Sequence, residues 1–471
     1  MAGRPLPGPV RRPLPGPARR GRAALVGGVL AGVLALVLAA CTPGSQNAGA
    51  PAPGGDRAVR TDIAALGPVT LTIWDQEVRG GQNEQMEKLN AAFHQRYPNV
   101  TIKRVSRSFD DLATTLRLAI SGNEVPDVVQ ANNSRAEMGA FVAANQLLSL
   151  EPWAKAYGWH QRYPASVQQY VSYSADGKQF GQGNLYGLPQ VGEVVGIYYN
   201  QAELDRLHIA APKTWDDFEA ALATAKAAGA TPLELGNLEK WPALHVFGTL
   251  QDQLVAPDQI ATLAFGRSGA TWNTPENLQT AQKLADWVKA GYFNTGVNGI
   301  DDNQAWQSFA KGQSVFLIGG SWYAPDLRAA MGDKVHFMAP PPRAGRPVSA
   351  TGGTGLPFAI TSKSAQPDAA AAYLDFITNT DAMKVLTATG NLPVVDTAAQ
   401  KPPDPVSGEL FSAFAAVSGQ GKLLPYLDYA TPTMSDTIGA ALQDLLGGAK
   451  TPRQFLDAVQ ADYAAFVAKN G

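Results

Sequence analysis

The sequence predicts an α/β protein built from two or more lobes, and three observations carry that prediction. Short β-branched or aromatic runs alternate with longer stretches whose apolar residues recur at helical spacing. The first five such segments read strand, helix, strand, helix, strand, the order of a parallel sheet with right-handed crossovers. The chain is also 471 residues long, more than one hydrophobic core usually serves.

Taken in order, VTLTIW (69–74) is β-branched and aromatic and reads as the first strand. In the stretch that follows, Met86, Leu89 and Phe93 share one helical stripe, and Pro98 ends the helix. VTIKRV (100–105), the helical DLATTLRLAISG (111–122) and PDVVQA (126–131) complete the unit. Ligands of such sheets bind beyond the carboxyl ends of the strands. That rule singles out the 74–77 turn, with Asp75, Gln76 and Glu77, and the pair Asn132 and Asn133. The plainer alternative is that these are polar loop residues capping the next helix. GIYYN (196–200) reads as another strand. The helix 214–229 opens with a capping pattern, Thr214 to Asp217, and stops at Gly229. Thr274 and Pro275 start the helix 274–291, and Asp301–Asp302 head one that leads into the strand SVFLIGG. A helix over 367–379 and a last one capped by Thr451 and Gln454 close the chain. Most Trp and Phe residues at helical spacing are expected to be core.

The first sixty residues are different in kind. An octad occurs twice, RPLPGPVR and RPLPGPAR, and its prolines block a helix. Arg19, Arg20 and Arg22 then precede eighteen uncharged residues, AALVGGVLAGVLALVLAA. A basic segment, an apolar run and small residues form the pattern of an export signal. The run ends in Leu38-Ala39-Ala40-Cys41, which resembles the lipobox of bacterial lipoproteins and holds the one cysteine of the chain. A single thiol cannot close an internal disulfide, so Cys41 is expected to carry a lipid instead. Residues 1–40 are thus read as a signal peptide and 41–60 as a lipidated flexible tether. An uncleaved membrane anchor is the alternative.

Charge and motifs exclude several classes. The six Arg of residues 1–40 mask an acidic body within a formal net charge of -2, which argues against a nucleic-acid partner. Five scattered His form no H-E-x-x-H or Cys/His cluster, so neither metal nor cofactor is expected. There is no nucleophile elbow and no phosphate-binding glycine loop. What remains is aromatic and amide-bearing segments that interrupt strands. Such residues bind sugars, rings stacking on apolar sugar faces and planar polar groups pairing with vicinal hydroxyls.

Six segments in order carry a family resemblance: IWDQE (73–77), EVPDVVQANN (124–133), LYGLPQVGEVVGIYYNQAEL (185–204), PKTWDDFEAAL (212–222), FAKGQSVFLIGGSWYAPDL (309–327) and GGTGLPFAITSKSAQPDAAAAYLDFIT (352–378). Over residues 68–470 the chain resembles the extracellular solute-binding proteins of bacterial ABC importers, in the maltose-binding, carbohydrate-uptake family. The resemblance implies a type II periplasmic-binding-protein fold, two α/β lobes around a ligand cleft with a multi-strand hinge. It implies crossings near Pro189–Val194, Val315–Gly319 and Gly353–Ala359. One lobe would then comprise 61–190 plus 318–355, and the other 193–315 plus 358–471. It further implies ligand contacts at Glu193, Trp322 and Trp241, with Gly352, Gly353 and Thr354 at a crossing and Tyr429 as a late aromatic wall. These join Trp74, Gln76, Glu77, Asn132 and Asn133. For Trp241 and Tyr429 core packing is the competing reading. Asn132–Asn133 stand where the maltose protein has charged residues, so the same sugar is not implied.

The function expected is a lipid-anchored, extracytoplasmic monomer that captures a sugar by hinge closure and hands it to permease subunits in the cell membrane. Competing expectations are another solute, such as a glycerol phosphodiester or a peptide, a lipid-anchored glycosidase, or an interaction lipoprotein.

Overall fold

The computed structural model describes residues 58–419 and 421–470; the expected signal, lipobox and most of the tether lie outside them. Twelve strands occur among the described residues. In chain order they are β1 (Val69–Asp75), β2 (Val100–Ser106), β3 (Val128–Gln130), the two-residue β4 (Ser172–Tyr173) and β5 (Asn184–Leu185), β6 (Gly192–Asn200), β7 (Thr231–Glu234), β8 (Ser314–Gly320), β9 (Val335–Met338), β10 (Ser349–Thr354), β11 (Phe358–Ile360) and β12 (Lys422–Leu424).

They form two main sheets, one per lobe. The first has the order β11-β3-β1-β2, with β1 parallel to both neighbours and β11 antiparallel at the edge. The second runs β12-β10-β6-β8-β7, with β9 also paired to β6. The predicted βαβαβ unit is thus present, and its helices follow as read: Gly80–Arg96 buries Met86, Leu89 and Phe93, and Phe109–Ser121 buries Leu112, Leu116 and Ile120. Capping chemistry also follows the sequence. Thr214 and Asp217 close a reciprocal capping box, Thr274 caps the helix from Pro275, and Thr451 and Gln454 exchange hydrogen bonds.

Lobe membership differs from the expected boundaries. β8 lies wholly in the second sheet, between β6 and β7, so the chain does not cross near Val315–Gly319. Segment 318–355, expected in the first lobe, stays with the second through β9 and β10. The chain crosses after Thr354, because β11 pairs with β3, and helices Pro367–Ile377 and Thr380–Ala388 bury their apolar faces in the first lobe's core. It crosses back between Val395, in that core, and Val406, in the second lobe. An apolar strand such as SVFLIGG satisfies either sheet, and only long-range pairing decides between them.

One buried group in the second lobe bears on stability. Asp252 is 3% exposed, and neither the Thr351 backbone nor Arg346 makes a well-aligned hydrogen bond to its carboxylate. Burial pushes its pKa up to about 8. A carboxyl raised in the folded state stabilises fully below its unfolded value near 3.9, and that contribution disappears as pH rises through 8. Asp252→Asn is therefore expected to raise Tm relative to wild type by an increment that grows between pH 4 and pH 8. Melting curves across that range check it, and a pH-independent increment contradicts a neutral Asp252.

Candidate functional site

A cavity of about 170 Å³ opens between the lobes. Its first-lobe side is held by the turn after β1. Asp75, fully buried, receives two hydrogen bonds from Arg104, at 2.6 and 2.8 Å, and a third from the Glu77 backbone N–H at 3.0 Å. Burial pushes the Asp75 carboxyl up, and Arg104 pulls it back. Arg104 also donates to the Glu77 carbonyl and to Asn83 Oδ1. The Gln76 N–H donates to Gln130 Oε1, whose amide in turn donates to Glu77 Oε1. With the backbone so fixed, Gln76 and Arg79 line the cavity. Beyond β3, the Asn132 side-chain oxygen accepts from the Ser134 N–H and its own backbone N–H donates to Glu137. Asn132 reaches the cavity as well.

The second lobe supplies the aromatic wall. Trp241 precedes the helix Pro242–Leu254 in a loop pinned by Asn237, which accepts from the Ala243 N–H and donates to Asn298. Lys240, just before it, takes φ 74, a left-handed conformation that a non-glycine residue adopts rarely. Trp322 follows β8 and meets Trp241 edge to face at 6.2 Å between ring centres. His245 lies 5.3 Å from Trp322 and 5.7 Å from Tyr426. The Tyr426 hydroxyl donates to Glu193 at 2.8 Å, and burial pushes the Glu193 carboxyl up to about 8.

Contacts across the cleft join the two sides. Arg79 of the first lobe pairs with Asp302 of the second at 2.8 Å and lies over the Tyr323 ring. The Tyr323 hydroxyl donates to the same Asp302, whose backbone N–H donates to Glu239. Phe109 meets Trp241 edge to face.

Of the residues singled out from sequence, Gln76, Asn132, Glu193, Trp241, Trp322 and Tyr429 line the cavity together. Tyr429 is 4% exposed and packed on Tyr426 and Phe180, so most of it is core. The other six lie behind the lining. Trp74 is covered by Arg107, and Glu77 is bound to Gln130. Asn133 is fully buried and donates to the Tyr170 carbonyl and to Thr354 Oγ1, tying the first lobe to β10. Gly352 and Gly353 pair with β6 beside Glu193. A Cβ at Gly352 would stand 2.3 Å from the Glu193 carbonyl oxygen, and one at Gly353, with φ +147, would press into the Tyr170 ring. Glycine here serves close backbone approach rather than ligand contact.

Sequence reasoning missed Arg79, Glu239, His245 and Tyr426, and read Asp302 only as a helix-start acid. Tyr426 stands three residues before the chosen Tyr429. Arg79 also supplies a cation to the cleft that the sequence did not disclose.

Gly320 gives a test of the wall. Its backbone is ordinary, φ -89, yet a Cβ there would come within 1.9 Å of the Trp322 ring. Gly320→Ala is expected to displace the indole and weaken ligand binding about tenfold or more. Titration calorimetry reads this, and an unchanged Kd means the ring's position is immaterial.

The family comparison decides what kind of cleft this is. The model of the bacterial extracellular solute-binding proteins matches residues 80–384, well over half of the chain. The protein belongs to that family. This solute-binding protein is similar to an ABC transporter extracellular-binding protein of Pyrococcus horikoshii, 26% identical over 395 residues that cover 81% of this chain and 84% of that one. It is also similar to the maltodextrin-binding protein MdxE of Bacillus subtilis, 26% identical over 385 residues, 78% and 81% of the two chains. Among solved structures it shares its fold with a chitin oligosaccharide binding protein, with a TM-score of 0.72 at 23% identity over 85% of this chain and 99% of that one. The family places the solute-binding protein outside the cytoplasm, and the two-lobed α/β architecture expected from sequence is the one observed.

Proposed function

We propose that this solute-binding protein captures a carbohydrate between its lobes and delivers it, without bond chemistry, to the permease of an ABC importer. The observation that carries the reading is the cavity itself. Trp241 and Trp322 offer rings from one lobe, while Gln76 and Asn132 from the other face them with planar amides. Glu193, at the start of β6, adds a carboxyl group that can share a hydrogen bond with a sugar hydroxyl. The sugar-binding names among the relatives support the same class of ligand. The lipobox-like segment ending at Cys41 supports anchorage on the extracytoplasmic face of the cell membrane, and the acylated protein is read as a monomer. The six cavity residues foreseen from sequence are proposed as ligand contacts, and Asn133, Gly352, Gly353 and Thr354 as their supports at the crossing.

A thermal-shift screen of the purified protein against mono- and oligosaccharides tests the proposal. Ligand at a hundred times its Kd stabilises the folded state by about 2.7 kcal/mol. Failure of every sugar and polyol to shift the melt sinks the carbohydrate reading. Release of cleaved or transferred product from a bound glycan sinks the claim of no chemistry.

A further inference from the structure

The cavity also carries a charge bias that a neutral sugar does not require. Five acids line it, Asp110, Glu193, Glu239, Asp302 and Asp428, against one cation, Arg79, and since burial keeps Glu193 largely protonated the other four carry the bias. Arg79 is already paired with Asp302. The acids come from both sides: Asp110 stands in the first turn of the first lobe's helix Phe109–Ser121, and Glu239 and Asp302 belong to the second lobe. Bringing the lobes together therefore brings like charges together, at a cost that falls with distance and with solvent. Crowding at the cleft, with Glu239 and Asp302 adding to it, pushes the still exposed Asp110 upward, and burial pushes Asp428 up to about 7. A positive charge among them relieves both effects.

A second observation is independent of the acids. His245 lines the same cavity, is 6% exposed, and its buried Nδ1 has no hydrogen-bond partner among the described residues. Burial drives its pKa down to about 3, so the imidazole stays neutral. A neutral ring accepts a hydrogen bond from an ammonium and does not repel it. Trp241, Trp322 and Tyr426 surround His245 at 5.3–5.7 Å, and such rings favour a cation near their faces. An inorganic ion fits less well, because no group of three or more His, Cys, Asp or Glu among the described residues could hold a metal.

We infer that the cleft selects a carbohydrate carrying a protonated amine, with the ammonium seated between Asp110 and Glu239, beside the Arg79-paired Asp302, and the sugar ring against Trp241 and Trp322. This rests on the carbohydrate reading and narrows it. Asp110 and Glu239 then determine specificity: they reward the charge, while the tryptophans accept the sugar skeleton.

Three β-1,4-linked trisaccharides that differ only at C2 test the inference by titration calorimetry: glucosamine, N-acetylglucosamine and glucose. The amine form is expected to bind about tenfold tighter or more than the other two. Its advantage should shrink as NaCl rises from about 50 to about 500 mM, because salt screens charge pairs at an open mouth. Asp110→Asn with Glu239→Gln should remove most of the advantage; its persistence overturns the seat assigned to the ammonium. Equal or tighter binding of the acetylated or hydroxyl form overturns the inference. So does a neutral glycan from the thermal-shift screen that binds while the amine series does not, and the carbohydrate reading then survives alone. If no glycan of either kind binds, both fall.

Discussion

Arg104→Ala is expected to destabilise the protein by about 3–5 kcal/mol, the range for removing one partner of a buried ion pair. The guanidinium makes four hydrogen bonds: two to the Asp75 carboxylate, one to Asn83 Oδ1 and one to the Glu77 carbonyl. Its loss leaves Asp75, fully buried, with only the Glu77 N–H to solvate a carboxylate. The cost is desolvation left uncompensated rather than attraction lost. Two controls separate these. Asp75→Ala combined with Arg104→Ala should be less destabilised than the sum of the single variants, because neither charge is stranded. Arg104→Lys should recover only part of the loss, since a lysine cannot span both carboxylate oxygens with a planar fork. Denaturant melts of the four variants give the comparison, and a single-variant cost below about 1 kcal/mol, the level of an exposed pair, rejects the account. Because this pair sets the turn that carries Gln76 and Arg79, affinity should fall along with stability.

That turn also shows how far the sequence could be read. The strands, helix stripes and caps around it were legible because each rests on residues within one or two turns of one another: the Met86, Leu89 and Phe93 stripe, or Thr214 against Asp217. Lobe membership was not, because β8 and β11 are placed by partners far away in the chain. Within the site, the strand-end rule reached the right loops but not always the right residue. Successive side chains at a strand end face opposite ways, so Gln76 reaches the cavity while Glu77 turns back to Gln130. Asn132 and Asn133 divide in the same manner. Arg79, His245 and Tyr426 left no local sign, since their approach depends on how the helix Pro242–Leu254 and the two lobes are set against each other.

Trp322→Ala is expected to weaken ligand binding at least about thirtyfold, the 2 kcal/mol typical of a central aromatic anchor. A Trp322 that faced only the ligand would leave the unliganded melt nearly untouched, but this ring also packs against its neighbours. The indole is half-buried, and it touches Tyr323 at 5.6 Å, His245 at 5.3 Å and Trp241 at 6.2 Å between ring centres. Truncation removes those contacts too, so a stability loss of about 1–3 kcal/mol accompanies it, below the 3–5 of a fully buried Trp. The two roles separate by phenylalanine. Trp322→Phe keeps a ring for packing but presents a smaller face, so stability should return more completely than affinity. Pairing Trp322→Ala with Trp241→Ala adds the last discrimination. If both rings grip one ligand, the losses in binding energy are non-additive, because removing the first ring already loosens what the second holds. Affinity within threefold of wild type in Trp322→Ala would place the ring in the core and leave Trp241 with Glu193 to carry recognition.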